Sequence, residues 1–281
     1  MELFRKINEL KSVLDADRQN GLSIGLVPTM GALHRGHLSL VDRAAEENDR
    51  VVVSIFVNPT QFNDPNDLKN YPRNLDKDLM LLSTRSCDYI FSPNVEEMYP
   101  EPDTRKFDFG SLETVMEGKF RPGHFNGVAQ VMSKLFAVVE PHKAYFGRKD
   151  FQQYSILKNM VNRMKLPVQL VPCDTVREAD GLAMSSRNAL LSKEHRMVAP
   201  RIYQILKEAQ TEAGNLSPED VRRHVIEKTN SVSLLRLEYF EIVDELTLQE
   251  VSSWKEEGVK VGCIAVFAGS VRLIDNIVFE K

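Results

Sequence analysis

Pro28-Thr29-Met30-Gly31-Ala32-Leu33-His34-Arg35-Gly36-His37 gathers residue types suited to holding phosphate. His34 and His37 stand three positions apart, so both imidazoles can donate to one phosphate chain from the first turn of a helix. The glycines permit a tight turn, and the N–H groups and positive dipole end of the following helix then converge on an anion. A nucleoside triphosphate fits that arrangement. Two plainer readings of H-x-G-H stay open on spacing alone. The histidines could be metal ligands, although neither a cysteine nor a third nearby histidine completes a set, or they could be capping or solvent-facing side chains.

Three other stretches carry polar groups that a ligand would use. Asn58 and Gln61 follow the apolar run Val51 to Val57, at the carboxyl end of an expected strand, where open parallel sheets place specificity groups. A plain Asn-Pro loop accounts for them equally well. In Gly147-Arg148-Lys149-Asp150 the glycine allows close approach of backbone to ligand, Lys149 adds a compact positive charge, and Asp150 offers an acceptor for ribose hydroxyls. The same four residues also read as a surface turn. Met184-Ser185-Ser186-Arg187 sets two hydroxyls beside a guanidinium, which suits a pyrophosphate clamp or, more simply, a helix cap.

These groups need a scaffold, and the hydrophobic pattern supplies one. Leu22 to Val27 and Val51 to Val57 are strand-length apolar runs with a helical segment between them, a βαβ unit of parallel-sheet type. Residues 3 to 18 read as an amphipathic helix, and Asn74 to Leu82 as a helix capped by Asn74. Asp88 to Pro93, Lys143 to Phe146 and Val168 to Pro172 read as further strands. A helix is expected to start around Leu112 to Met116, and others run over Phe125 to Val139 and Phe151 to Met164. Beyond residue 175 the order changes. Lys193 to Ala213 and Pro218 to Thr229 read as helices, followed by strands at Glu238 to Val243, Val259 to Phe267 and Val271 to Phe279. The expectation is an α/β parallel-sheet domain over residues 1–175 and a smaller α+β domain over 176–281.

With 281 residues, 42% hydrophobic and 27% charged, the chain has the composition of a soluble protein with a sizeable core. A net charge of −4 gives no electrostatic reason for a nucleic-acid partner, so any anion site must be local. Cys87, Cys173 and Cys263 are far apart and outside any C-x-x-C spacing, as expected for buried free thiols in a reducing compartment. No segment has the apolar length of a signal peptide or membrane span, so a cytoplasmic location is expected.

Read together, PTMGALHRGHLSL at 28 to 40, VNPTQF at 57 to 62, YPR at 71 to 73, FRPGHFNGV at 120 to 128, FGRKDFQQ at 146 to 153 and MSSRN at 184 to 188 closely resemble the pantothenate synthetase (pantoate–β-alanine ligase) family. The resemblance spans residues 22 to 190 almost without a break. It implies a Rossmann-like N-terminal domain of the nucleotidylyltransferase kind, with H-x-G-H and a KMSKS-like loop, and a C-terminal domain that closes as a lid near a homodimer contact. It also implies ATP-dependent joining of pantoate to β-alanine through a pantoyl adenylate. The roles it carries over put ATP on Met30, Gly31, Ala32, Leu33, His34, Arg35, Gly36, His37, Gly147, Arg148, Lys149, Asp150, Val176, Met184, Ser185, Ser186 and Arg187. His37 occupies the proton-donor position, with His34 and Lys149 as its catalytic companions, and Gln61 and Gln153 match the pantoate-holding glutamines, with Asn58 beside them. Mg2+ is the implied metal, with Asp78 as the candidate ligand, while Arg121 and His124 would stand near the substrate or the dimer contact.

Arg35 and Arg148 depart from the family pattern, which commonly has acidic, or at the second position also neutral, residues there. Two rival functions share part of the motif set. Another nucleotidylyltransferase would keep the histidines and the clamp but would call for more cationic partners than Gln61 and Gln153 provide. A non-catalytic nucleotide-binding module would not need His37, Lys149 and the serine pair together.

Overall fold

Parallel strands need helical crossovers, and the alternation of apolar runs with amphipathic segments produces them. The computed structural model describes residues 1–279. The first half of the chain holds β1 (Glu2–Phe4), α1 (Ile7–Gln19), β2 (Ile24–Thr29), α2 (Arg35–Glu47), β3 (Arg50–Ile55), α3 (Pro65–Asn70), α4 (Leu75–Leu82), β4 (Tyr89–Phe91), α5 (Val95–Met98), α6 (Met116–Phe120) and α7 (His124–Val139). After them come β5 (Lys143–Gly147), α8 (Phe151–Met164), β6 (Gln169–Cys173), α9 (Lys193–Val198), α10 (Arg201–Glu212), α11 (Pro218–Ser231), β7 (Leu235–Asp244), β8 (Lys260–Ala268) and β9 (Val271–Phe279).

Two compact units result. One is built from Met1–Phe109, Arg121–Arg148 and Ile156–Asp174; the other from Gly110–Phe120, Lys149–Ser155 and the chain from Thr175 onward. The first contains a six-stranded sheet in the order β1-β4-β3-β2-β5-β6, parallel throughout. From β2 the chain steps one way to β3 and β4, then returns to β5 on the other side of β2. That reversal is the switch point at which open α/β sheets form a crevice beyond their strand ends. It lies between the carboxyl ends of β2 and β5, where Thr29 and Gly147 stand. Val27, Val51, Val53, Ile90 and Tyr145 from the sheet pack with Leu38, Val41 and Ala44 of α2. Each fully buried aliphatic side chain of this kind contributes about 1.5–3 kcal/mol.

In the second unit, β7, β8 and β9 form an antiparallel sheet in chain order, and α10 and α11 cover one face. Ile205, Leu206, Val221 and Val225 of these helices pack against Phe240, Ile264 and Ile277. The fold is thus the expected Rossmann-like α/β sheet with a small antiparallel α+β part. No helix among the described residues is long and apolar enough to cross a membrane.

Two local expectations need correction. Residues 3 to 18 do not form one helix: Glu2, Leu3 and Phe4 pair in register with Tyr89, Ile90 and Phe91, and the helix starts at Ile7. Lys193 to Ala213 is two helices, because Pro200 lacks the N–H a continuous helix would use. The helix start expected around Leu112 to Met116 is found at Met116, where α6 begins after a 3-10 turn at Gly110–Glu113.

Candidate active site

The turn after β2 is held open under strain. Gly31 has φ +79° and Ala32 has φ +49°, a left-handed conformation that costs a non-glycine residue free energy. Asp78, at the start of α4, stabilises it: Ala32 N–H donates to Oδ2 at 2.9 Å and Leu33 N–H to Oδ1 at 2.7 Å. Thr29 adds a third tie by donating to Ser54 O at 2.7 Å and accepting from Gly31 N–H at 3.1 Å. Asp78 is 2% exposed, and burial pushes its carboxyl above the usual carboxylate range.

This geometry does not suit Asp78 to magnesium. Each oxygen already accepts a backbone N–H, and no three His, Cys, Asp or Glu side chains among the described residues cluster as a metal site. In this structure Asp78 is a turn holder, its two oxygens accepting the Ala32 and Leu33 N–H groups.

The histidines complete the turn. His34 is the N-cap of α2, its Nδ1 accepting Gly36 N–H at 3.2 Å, while His37 Nδ1 accepts His34 N–H at 3.4 Å. The two rings lie 4.0 Å apart between centroids. Because Nδ1 is the acceptor in each ring, the proton of each neutral imidazole belongs on Nε2, which makes Nε2–H the donor. The first turn of α2 contains no acidic residue to oppose an anion. The capping reading left open above is therefore correct, and it serves the phosphate reading because it fixes the tautomers.

Gln61 ends a one-turn 3-10 helix, Pro59–Gln61, beyond β3. Its Nε2 donates to Met30 Sδ at 3.0 Å and its Oε1 accepts from Asn58 Nδ2 at 3.2 Å. A thioether is a weak acceptor, so a carboxylate or hydroxyl oxygen would readily replace it. Asn58 is 1% exposed: it also donates to Gly127 O at 3.0 Å and accepts from Tyr99 OH at 2.8 Å. It supports Gln61 rather than facing a ligand.

His124 and Gly127 hold the same turn. His124 Nδ1 lies 2.8 Å from Gln61 O, and Arg121 NH1 lies 3.1 Å from its Nε2. A Cβ on Gly127 would stand 2.2 Å from Thr60 O, so the lack of a side chain lets α7 lie against the Pro59–Gln61 backbone. Nearby, a cavity of about 630 Å³ borders Met30, Gly31, Phe56, Arg73 and Asp78, a size typical of small-ligand sites.

The remaining residues belong to the end of β5 and the second unit. Gly147 closes β5 with open space where a Cβ would be, and Arg148 NH1 lies 4.0 Å from Asp174 Oδ1. In the second unit, Lys149 Nζ is 3.1 Å from Asp150 Oδ1. Gln153 is half-buried on α8, whereas its neighbour Gln152 is buried and spends its amide on Leu112 O and Val115 O. Val176 O accepts Met184 N–H at 3.0 Å, closing a short hairpin whose end presents Met184 to Arg187. Ser185 caps the following 3-10 turn by accepting Arg187 N–H at 3.3 Å. As with the histidines, the capping role is the one that the hydrogen bonds show.

Comparison with known proteins bears directly on this arrangement. The family model described as pantoate-beta-alanine ligase matches residues 2–278. Pantothenate synthetases of Porphyromonas gingivalis and Bacteroides fragilis are 55% and 54% identical to the chain, each covering all of both sequences. A solved pantothenate synthetase of Thermus thermophilus superposes with a TM-score of 0.94 at 43% identity over the full length of both chains. A pantoate-beta-alanine ligase of Francisella tularensis, solved with beta-gamma ATP and β-alanine, gives a TM-score of 0.84 at 35% identity, covering 100% of this chain and 98% of its own. The chain belongs to the pantoate-beta-alanine ligase family.

Proposed function

We propose that the chain condenses pantoate with β-alanine, using ATP, to give pantothenate, AMP and pyrophosphate. A pantoate carboxylate oxygen attacks the α-phosphorus and pyrophosphate leaves; the β-alanine amine then attacks the acyl carbon and AMP leaves. No enzyme nucleophile is needed, so catalysis rests on alignment and on charge stabilisation. The observation that carries this reading is the strained, Asp78-held turn whose two histidine caps both present Nε2–H, at the switch point of the sheet.

In this reading His34 and His37 donate to the phosphates, with His37 following the charge that develops on them, and Lys149, Ser185, Ser186 and Arg187 neutralise the departing pyrophosphate. Gln61 exchanges its thioether contact for pantoate oxygens, and Gln153 supplies the second amide. Met30 to His37, Gly147 to Asp150, Val176 and Met184 complete the nucleotide contacts. Magnesium would arrive on ATP with phosphate oxygens and water as its ligands, since Asp78 is engaged by backbone. We further propose a cytoplasmic homodimer.

AMP release by the purified chain should require pantoate and β-alanine together. Pyrophosphate release with a nucleotide monophosphate as acceptor, and none with pantoate, would instead identify the rival nucleotidylyltransferase. His37→Ala should lower kcat by about 10²-fold or more; turnover within about twofold of the wild type would remove His37 from the chemistry.

A further inference from the structure

β9 does more than close the small sheet. Its residues alternate between buried and partly exposed positions, so Leu273, Asp275 and Ile277 share one face and Arg272, Ile274 and Asn276 the other. On the second face, Arg272 and Asn276 receive the two short segments that join this unit from earlier in the chain. Arg272 donates through NH1 and NH2 to both oxygens of Glu117, at 2.8 and 2.7 Å. Glu117 N–H in turn donates to Gln152 Oε1 at 2.9 Å. Asn276 Nδ2 donates to the backbone carbonyl of Lys149 at 3.0 Å. The segment from Lys149 to Gln153 is thus seated on β9 twice, directly at its first residue and through Glu117 at Gln152.

The direction of Asn276 is itself fixed. The Asp275 carboxylate, buried on the core face, accepts Asn276 N–H at 2.8 Å and is gripped by Arg177 NH1 and NH2 at 2.6 and 2.9 Å. Arg177 stacks on Tyr203, 3.6 Å from the ring centroid, so the anchor is rigid.

We infer that Asn276 is a positioning residue for Lys149: its amide fixes the Lys149 carbonyl, and so the point from which the ammonium reaches the nucleotide. The inference rests on the reading of Lys149 as a nucleotide-contacting cation given above. A backbone displaced by a fraction of an ångström at this point moves the charge that stabilises the leaving pyrophosphate, while contacts to the amine substrate are untouched.

The test is a mutant cycle on the full chain, read as kcat and KM for ATP, pantoate and β-alanine, with urea unfolding in parallel. Asn276→Leu, which keeps the volume and loses the donor, should lower kcat/KM for ATP about tenfold and leave KM for β-alanine within about twofold. Asn276→Ser, which restores a hydroxyl donor, should recover at least about threefold of that loss. In a Lys149→Ala background, itself reduced about 10²-fold, Asn276→Leu should cost no more than about twofold further. Full additivity of the two losses, or Asn276→Leu within about twofold of wild type, overturns the inference. If Asn276→Leu does not fold, Asn276→Ser takes its place in the cycle under the same criterion. Failure of the wild-type chain to release AMP with pantoate and β-alanine would overturn the proposed function instead, which keeps the two outcomes separate.

Discussion

In the proposed site, Asp78 holds the phosphate-facing turn through its backbone. Its two oxygens accept the N–H groups of a left-handed turn, that of Leu33 buried and that of Ala32 partly buried. Asp78→Ala should destabilise the chain by about 1–3 kcal/mol through the buried Leu33 N–H alone and raise KM for ATP. Asp78→Asn, which keeps one acceptor, should lose less and leave the magnesium concentration at half-maximal rate unchanged. A shifted magnesium requirement would restore Asp78 as a ligand. His124 acts one step from the chemistry in the same way, so His124→Ala should raise KM for pantoate several-fold while KM for ATP stays put. Equal increases in both would mean that the Gln61 turn is not its target. At this scale the sequence singles out His34, His37 and Gln61 as candidates because their types and spacing are themselves the signal. It did not disclose Asp78 or His124 in these parts, because both work through backbone groups 45 or more residues away.

Helix α7 and the Pro59–Gln61 turn illustrate the next scale. They meet backbone to backbone at Gly127, where a methyl group would collide with Thr60 O and Gln61 Cα at 2.2 and 2.7 Å. Gly127→Ala should therefore cost about 1–3 kcal/mol in urea unfolding, and the displaced turn should raise KM for pantoate. Unchanged stability would mean that the turn can move aside freely. Most elements were legible as apolar runs of strand length or as helical periodicity. β1 was not, since three residues are too few to show a period and Leu3 fits the helix that follows equally well. The break in the helix after Val198 was marked by Pro200, but the strong amphipathic pattern on either side of it masked the interruption.

Across the parallel-sheet unit, charge ties α2 to β5. Lys143 and Arg43 bind Glu47, with Tyr145 OH 3.1 Å away, and these hydrogen bonds hold its carboxyl down to about 2 from 4.5. A depressed folded-state pKa gives a contribution that is complete above 4.5 and is lost as pH falls through about 2. Glu47→Gln should thus lower Tm at neutral pH, with the gap to wild type narrowing across that acid window. A gap that persists unchanged in acid would show that the loss is one of packing.

The interleaving of the two units also has a consequence for how the protein is made. Gly110–Phe120 and Lys149–Ser155 leave the ribosome long before β9, yet the Arg272 guanidinium that pairs with Glu117 and the Asn276 amide that holds the Lys149 carbonyl both lie on that strand. Translation must pass β9 before Lys149 has its seat. Nascent chains stalled ahead of Val271 should expose the loop around Lys149 to protease, and synthesis past Phe279 should protect it.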